Sequence, residues 1–113
     1  MFIEWMFAWS CRVPLTWLAA KLDDAVAGAI AWTRRPDEAD IDRLIVSPVM
    51  HRQGIGSALI REVLRREQGR RILVSTGRCN APARALYESL GFVPVGDQEV
   101  LPGLWTTRYA HSS

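Results

Sequence analysis

The stretch Val46-Ser47-Pro48-Val49-Met50-His51-Arg52-Gln53-Gly54-Ile55-Gly56-Ser57-Ala58-Leu59 decides how the chain folds. Before it, Ile41, Leu44, Ile45 and Val46 make an apolar run of strand character that ends at Ser47-Pro48. After it the period changes. Ile55, Leu59, Ile60, Val63 and Leu64 fall on one face of a helix, and Arg61, Glu62, Arg65, Arg66 and Glu67 on the other. A glycine-rich loop thus joins a strand to a helix. Gly54 and Gly56 permit a tight turn and a close approach of backbone to ligand. The free N–H groups of a first helical turn converge on one spot, and the helix dipole adds positive potential there, which suits a phosphate. Ser57 adds a hydroxyl donor and Arg52 a charge. Two phosphate loops are excluded. No Lys follows the glycines as a Walker loop requires, and Leu59 stands where the dinucleotide fingerprint needs Gly or Ala. A bare Gly-x-Gly also serves as an ordinary strand–helix turn, so a second signal is needed.

Outward from this loop the elements alternate. Leu15–Leu22 and Val26–Trp32 read as a strand hairpin turning at Asp23-Asp24, followed by the charged loop 34–38. After the helix, Gly69 is a natural stop and Arg71–Thr76 reads as a buried strand. Pro82 suits the first turn of a second helix, whose face is Ala83, Leu86, Tyr87 and Leu90, ending at Gly91. Val93–Gly96 and Leu104–Ala110 read as two last strands. The order is β-β-β-α-β-α-β-β, a mixed α/β class in one domain spanning residues 1–113.

The second signal is Asn80-Ala81-Pro82-Ala83-Arg84-Ala85-Leu86-Tyr87-Glu88-Ser89-Leu90-Gly91-Phe92. Read alone, Asn80 is a helix cap and Tyr87 a half-buried helix residue. Together the two segments resemble the GNAT superfamily of acyl-CoA-dependent N-acetyltransferases. Val46-Ser47-Pro48 and Arg52-Gln53-Gly54-Ile55-Gly56 match its V-x-P and [QR]-x-x-G-x-[GA] pattern, with His51 where the family usually has Gln or Arg. Asn80, Ala83, Tyr87, Gly91 and Phe92 match its N-x-x-A-x-x-x-Y and G-F motif. The resemblance covers about residues 15–110. It implies a GNAT-like central mixed sheet flanked by helices. A full member has a strand and about two helices ahead of the strand at Leu15, where only residues 1–14 stand here. The family's first strand and helix are therefore expected to be absent, with consequences for the wall of the acceptor pocket.

The resemblance implies transfer of an acetyl group from acetyl-CoA to an amine by direct attack in a ternary complex. The alternative is a CoA-binding module without catalysis. Acetyl-CoA is expected between the third strand and the strand from Arg71. Backbone groups at Leu44 and Val46 would pair with its amides like an added strand. The amides of Gln53, Gly54, Ile55, Gly56 and Ser57, with Arg52, would receive the pyrophosphate, and Asn80 would touch the coenzyme. A backbone N–H near Val46 can steady negative charge on the carbonyl oxygen. Tyr87 suits protonation of the leaving thiolate, since a phenol of pKa about 10 is protonated at neutral pH and a thiol has pKa about 8.5. Asp40 and Asp42 share a strand face and are candidates to take the amine's proton, against the plainer reading of a solvated face. Arg84 is a candidate for the nucleotide end of CoA. Cys79 lacks a base partner, His111 is placed near a mobile end, and Arg61, Arg65, Arg66, Arg70 and Arg71 read as a solvated face.

Composition is consistent with this. The 113 residues are 49% hydrophobic and 23% charged, with a net charge of +2. That is globular composition and gives no argument for nucleic acid. Cys11 and Cys79 carry neither zinc-ligand spacing nor a disulfide framework, so no metal is expected and a reducing, cytoplasmic setting fits. No apolar run reaches the length of a membrane span, and no membrane partner is expected. Nine of the first 11 residues are apolar, without the basic region or cleavage site of a signal peptide. Phe2 and Met6, and Trp5 and Trp9, stand four apart, which suits a short helix packing on the core or on another subunit. A homodimer is expected, because a domain lacking its first elements leaves apolar surface and a sheet edge uncovered.

Overall fold

The computed structural model describes residues 3–9, 15–48 and 54–112, with the backbone alone for residues 6–9. The elements are β1 (Glu4–Trp9), β2 (Thr16–Leu22), β3 (Ala25–Arg34), β4 (Glu38–Val46), α1 (Ile55–Arg66), β5 (Arg71–Gly77), α2 (Ala81–Ser89), β6 (Val93–Leu101) and β7 (Leu104–Ser112). They form one seven-stranded sheet in the order β1-β2-β3-β4-β5-β7-β6. Only β4 and β5 run parallel; every other neighbouring pair is antiparallel. From residue 15 onward this is the expected mixed α/β order, with β4 and β6 longer than their apolar runs suggested. No helix among the described residues is long and apolar enough to cross a membrane.

The N-terminal expectation is corrected. Residues 4–9 are a strand and not a helix, pairing along their length with β2 from Glu4↔Lys21 to Trp9↔Thr16. The strand that the resemblance left missing is thus present at the sheet edge. Trp5 and Ile3 pack against the chain's own core. The physical reason is that β2 offers an unpaired edge, and ladder hydrogen bonds along it satisfy backbone groups that a two-turn helix would leave open at its ends.

The β2–β3 hairpin turns on Asp23 (φ 49°) and Asp24 (φ 66°), both left-handed. Two such residues in succession match the twist of hairpin strands, and Asp tolerates this region better than most side chains. Between β3 and β4 the register slips, because Trp32 pairs with Ile41 and Ala31 with Arg43. Asp42 is the extra residue of a β-bulge.

One sheet face carries the core. Leu18, Ile30, Trp32, Ile41, Val74 and Tyr109 pack there against Ile55, Leu59, Ile60 and Val63 of α1 and Tyr87 of α2. Each fully buried aliphatic side chain of this set contributes roughly 1.5–3 kcal/mol. Gly28 lets α1 lie close: a Cβ there would stand 2.7 Å from the Ile45 carbonyl oxygen and 3.0 Å from Ile55 and Leu59 side-chain carbons. Among the described residues no helix covers the opposite face, which presents Asp40, Arg43, Ser75 and Arg108. At the end of α1 the buried Glu67 accepts from Arg34 Nε, at 3.0 Å to Oε2.

Candidate functional site

The site begins where the two parallel strands separate. Pairing of β4 with β5 covers Glu38↔Arg71 to Ile41↔Val74 and then stops, although β4 continues to Val46 and β5 to Gly77. Ser47 N–H donates to the Ala27 carbonyl on the β3 side at 2.8 Å. By strand alternation the N–H groups of Leu44 and Val46 face the other way, into the gap toward β5. Beyond Ile41 this edge has no ladder partner among the described residues.

A cleft of about 420 Å³ opens at the gap, lined by Leu44, Val46, Gly54, Gly56, Ser57, Asn80 and residues of α2. A second of about 280 Å³ adjoins it, lined by Ile41, Asp42, Arg43, Val74, Ser75, Thr76 and Tyr87. Leu44, Asn80, Ala83 and Leu86 line both. The two clefts form a passage between the splayed strands, from the start of α1 to Tyr87.

Helix α1 starts on Gly54 at φ 72°, a left-handed conformation that favours glycine. It has no side-chain cap and no acidic residue in its first turn. Among the described residues, the first-turn amides of Ile55, Gly56 and Ser57 consequently have no partner and stand at the positive end of the dipole. Ile55 offers only its amide, since its side chain is buried in the core. At Gly56 a Cβ would meet Leu86 at 3.5 Å and Val46 at 3.7 Å, ordinary contact distances, so glycine here keeps the cleft floor open. Arg52 and Gln53, expected in the same phosphate site, lie outside the described residues, as does His51.

Helix α2 is closed at its start. Asn80 Oδ1 accepts from Ala83 N–H at 3.2 Å, and Pro82 removes another donor. Asn80 is therefore both the cap read from the sequence and a cleft residue. Tyr87 is 5% exposed and packs against Phe92 and Tyr109, with ring centroids 5.7 and 5.9 Å away. Burial pushes its phenol above the usual tyrosine value. Nothing among the described residues hydrogen-bonds its hydroxyl. The helix is held to the sheet by Tyr109, whose hydroxyl donates to Glu88 at 2.6 Å and accepts from Arg84 Nε at 3.0 Å.

The two acidic candidates fare differently. Asp40 is committed: it accepts from Arg108 at 2.8 Å, and Arg108 also donates to Ser75 at 3.2 Å. Asp42 sits on the bulge, lines the second cleft and has no such partner among the described residues. Arg84, a candidate for the nucleotide end of CoA, donates to the Tyr109 hydroxyl and to the Arg78 carbonyl. The placement of His111 near a mobile end is corrected: it lies within β7, paired with Ile72, its ring tilted against that of Phe92 at 5.2 Å between centroids. Of the arginines read as one solvated face, Arg65 and Arg66 pair with Glu62 on α1, whereas Arg70 lies past the helix end and Arg71 lies in β5. Arg43, Ser75 and Thr76 also line the cleft and were not singled out in the sequence, and Leu86 was read only as part of a helix face. Only Arg43 left a signal there, a charge following Asp42 within an apolar strand.

A family model described as the acetyltransferase (GNAT) family matches residues 1–92. No curated protein sequence matches the chain. Among solved structures the chain is similar to a GNAT-family protein from Desulfovibrio desulfuricans, with 26% identity and a TM-score of 0.76 over 87% of this chain and 69% of that one. It is similar to the ribosomal-protein-S18-alanine N-acetyltransferase of Escherichia coli, at 24% identity and a TM-score of 0.75 over 83% and 66%. It also shares its fold with a GNAT acetyltransferase from Elizabethkingia anophelis with acetyl-CoA bound, at 14% identity and a TM-score of 0.80 over 88% and 76%. Members of this family are typically acetyl-CoA-dependent N-acetyltransferases. With the paired motifs flanking one cleft and the family model spanning most of its length, the chain belongs to the acetyltransferase (GNAT) family.

Proposed function

We propose that this protein is an N-acetyltransferase that moves an acetyl group from acetyl-CoA to an amine acceptor. The observation that carries the reading is the coincidence, in one passage, of a free strand edge, an uncapped helix start and a buried tyrosine. These features fit the coenzyme. The amides of Gln53, Gly54, Ile55, Gly56 and Ser57, with Arg52, would hold its phosphates, the Leu44 and Val46 edge its amide groups, and Asn80 its flank. Acetyl-CoA, when bound, supplies a thioester-activated acetyl group. The Val46 N–H has no ladder partner among the described residues and would be able to steady negative charge on an oxygen. Tyr87 keeps its proton through neutral pH and can deliver it to a sulfur. Asp42 carries the role of proton acceptor for the amine better than Asp40, which is tied to Arg108.

Calorimetry with acetyl-CoA and a thiol-release assay with amine acceptors test the reading. Gly56→Val should fold, since its Cβ meets only ordinary contacts, yet its methyl groups would intrude on the cleft and weaken CoA binding. Unchanged affinity in the folded variant would remove the phosphate assignment. Binding without turnover on any amine would leave a CoA-binding module.

The same proposal includes a cytoplasmic homodimer. Its support is the pair of sheet edges: β1 ends the sheet on one side, and β6 on the other is exposed along its whole length. Unpaired edges favour association with a second copy. Light scattering across a dilution series decides it, and a monodisperse monomer at micromolar concentration refutes it.

A further inference from the structure

We infer that the acceptor is a small zwitterion, a free α-amino acid whose ammonium group is received by Asp42 and whose carboxylate is received by Arg43. This rests on the acetyltransferase reading above and names its substrate class.

The β-bulge is the starting point. Asp42 and Arg43 together oppose the single residue Ala31, and these two consecutive residues of opposite charge are among those that line one cleft. In a regular strand, neighbours alternate between faces. The bulge suspends that rule where Tyr87 lies across the same cleft. An α-amino acid carries its ammonium and its carboxylate on one carbon. It therefore needs an acceptor and a donor from adjacent positions, which a straight strand does not offer.

The surrounding charges are already engaged. Asp40 holds Arg108, and Arg108 holds Ser75. Asp97 takes the Thr107 hydroxyl and pairs with Arg78, whose guanidinium lies over Trp105 at 4.7 Å. Asp42 and Arg43 have no hydrogen bond or ion pair among the described residues. A guanidinium recognises a carboxylate through paired donors, which gives orientation as well as attraction. An amine without an acid group, or a peptide N-terminus with an amide at that place, would leave Arg43 without its partner. The cleft, at about 280 Å³, suits a small molecule.

The test compares acceptors in the thiol-release assay with acetyl-CoA: the twenty free L-amino acids, their methyl esters, the matching amines, and dipeptides. Accepted amino acids should show kcat/KM about tenfold or more above their esters, the scale of one charge-assisted contact. Arg43→Gln should remove that margin by lowering the acid's value while sparing the ester's, and Arg43→Lys should restore part of it. Esters, amines or dipeptides that match or exceed the free acids overturn the inference. An equal loss for acid and ester in Arg43→Gln does so as well. Calorimetry of acetyl-CoA separates the two levels. Binding with no amino acid accepted refutes the zwitterion alone, and absence of binding refutes the acetyltransferase reading with it.

Discussion

The two helices begin in opposite ways. Helix α1 opens on a left-handed glycine with no cap and no acidic residue in its first turn. Helix α2 opens on Asn80, whose side chain takes the Ala83 N–H, with a proline removing a further donor. Both starts line one cleft. A helix start without a partner costs stability, so the open one is where we propose that a ligand completes the structure, and the closed one has its donors met by its own residues. The first helix offers its backbone, the second its side chains.

The largest expected effect tests the side-chain helix. Tyr87→Phe keeps the ring packed on Phe92 and Tyr109 and removes only the proton donor. Turnover should fall about 10²-fold or more with acetyl-CoA affinity unchanged, as steady-state kinetics and calorimetry would show. The same variant bears on alkaline stability. Burial raises the Tyr87 pKa in the folded protein, so the unfolded chain loses this proton first. The contribution is fully present below the ordinary value of about 10 and is lost as pH rises through the folded value. Urea titrations above pH 10 should show a shallower decline in the Phe variant.

Closing the open start is the next test. Ser57→Asp places a carboxylate among the α1 amides, where it stabilises the helix by about 0.3–1 kcal/mol. It should also repel phosphate and lower acetyl-CoA affinity by about tenfold or more. A higher melting temperature with weaker binding is the expected pair of results; a gain in both would mean that phosphate binds elsewhere. Opening the closed start is the converse. Asn80→Ala should cost about 1 kcal/mol, readable in chemical denaturation. Asn80→Asp keeps the cap while adding charge to the cleft, so it should preserve stability and weaken binding. The smallest effect is expected at the far end of α1. Arg65→Ala removes an exposed partner of Glu62, which Arg66 still holds, and should change stability by less than about 0.5 kcal/mol.

Much of this contrast was legible in residues 46–92. Gly54, Gly56, Asn80, Pro82 and Tyr87 act through local backbone chemistry, and local chemistry is written in short segments. Other features depend on partners that a linear reading does not supply. The four-residue interval of Trp5 and Trp9 is one helical turn and also two repeats of a strand, so only the edge of β2 decides between them. The bulge at Asp42 is one extra residue with no composition of its own. Gly28 is constrained by Ile45, Ile55 and Leu59, and its own neighbours Ala27 and Ala29 disclose nothing of that. Asp40 and Arg108 meet across 68 positions of sequence, and that pairing separates two aspartates that looked equivalent.

The short parallel seam between β4 and β5 has a mechanical consequence. Four residue pairs join these strands, whereas seven join β3 to β4 and seven join β5 to β7. The sheet is in effect two stiff plates, β1–β4 and β5–β7–β6, fastened along a line about half as long as those within them. Twisting the plates against each other loads that line first and spreads the passage beside it. For the proposed coenzyme, the fastening would set how readily a long, flexible molecule threads into the passage and how readily it leaves. Lengthening the seam would make the protein stiffer and its traffic slower.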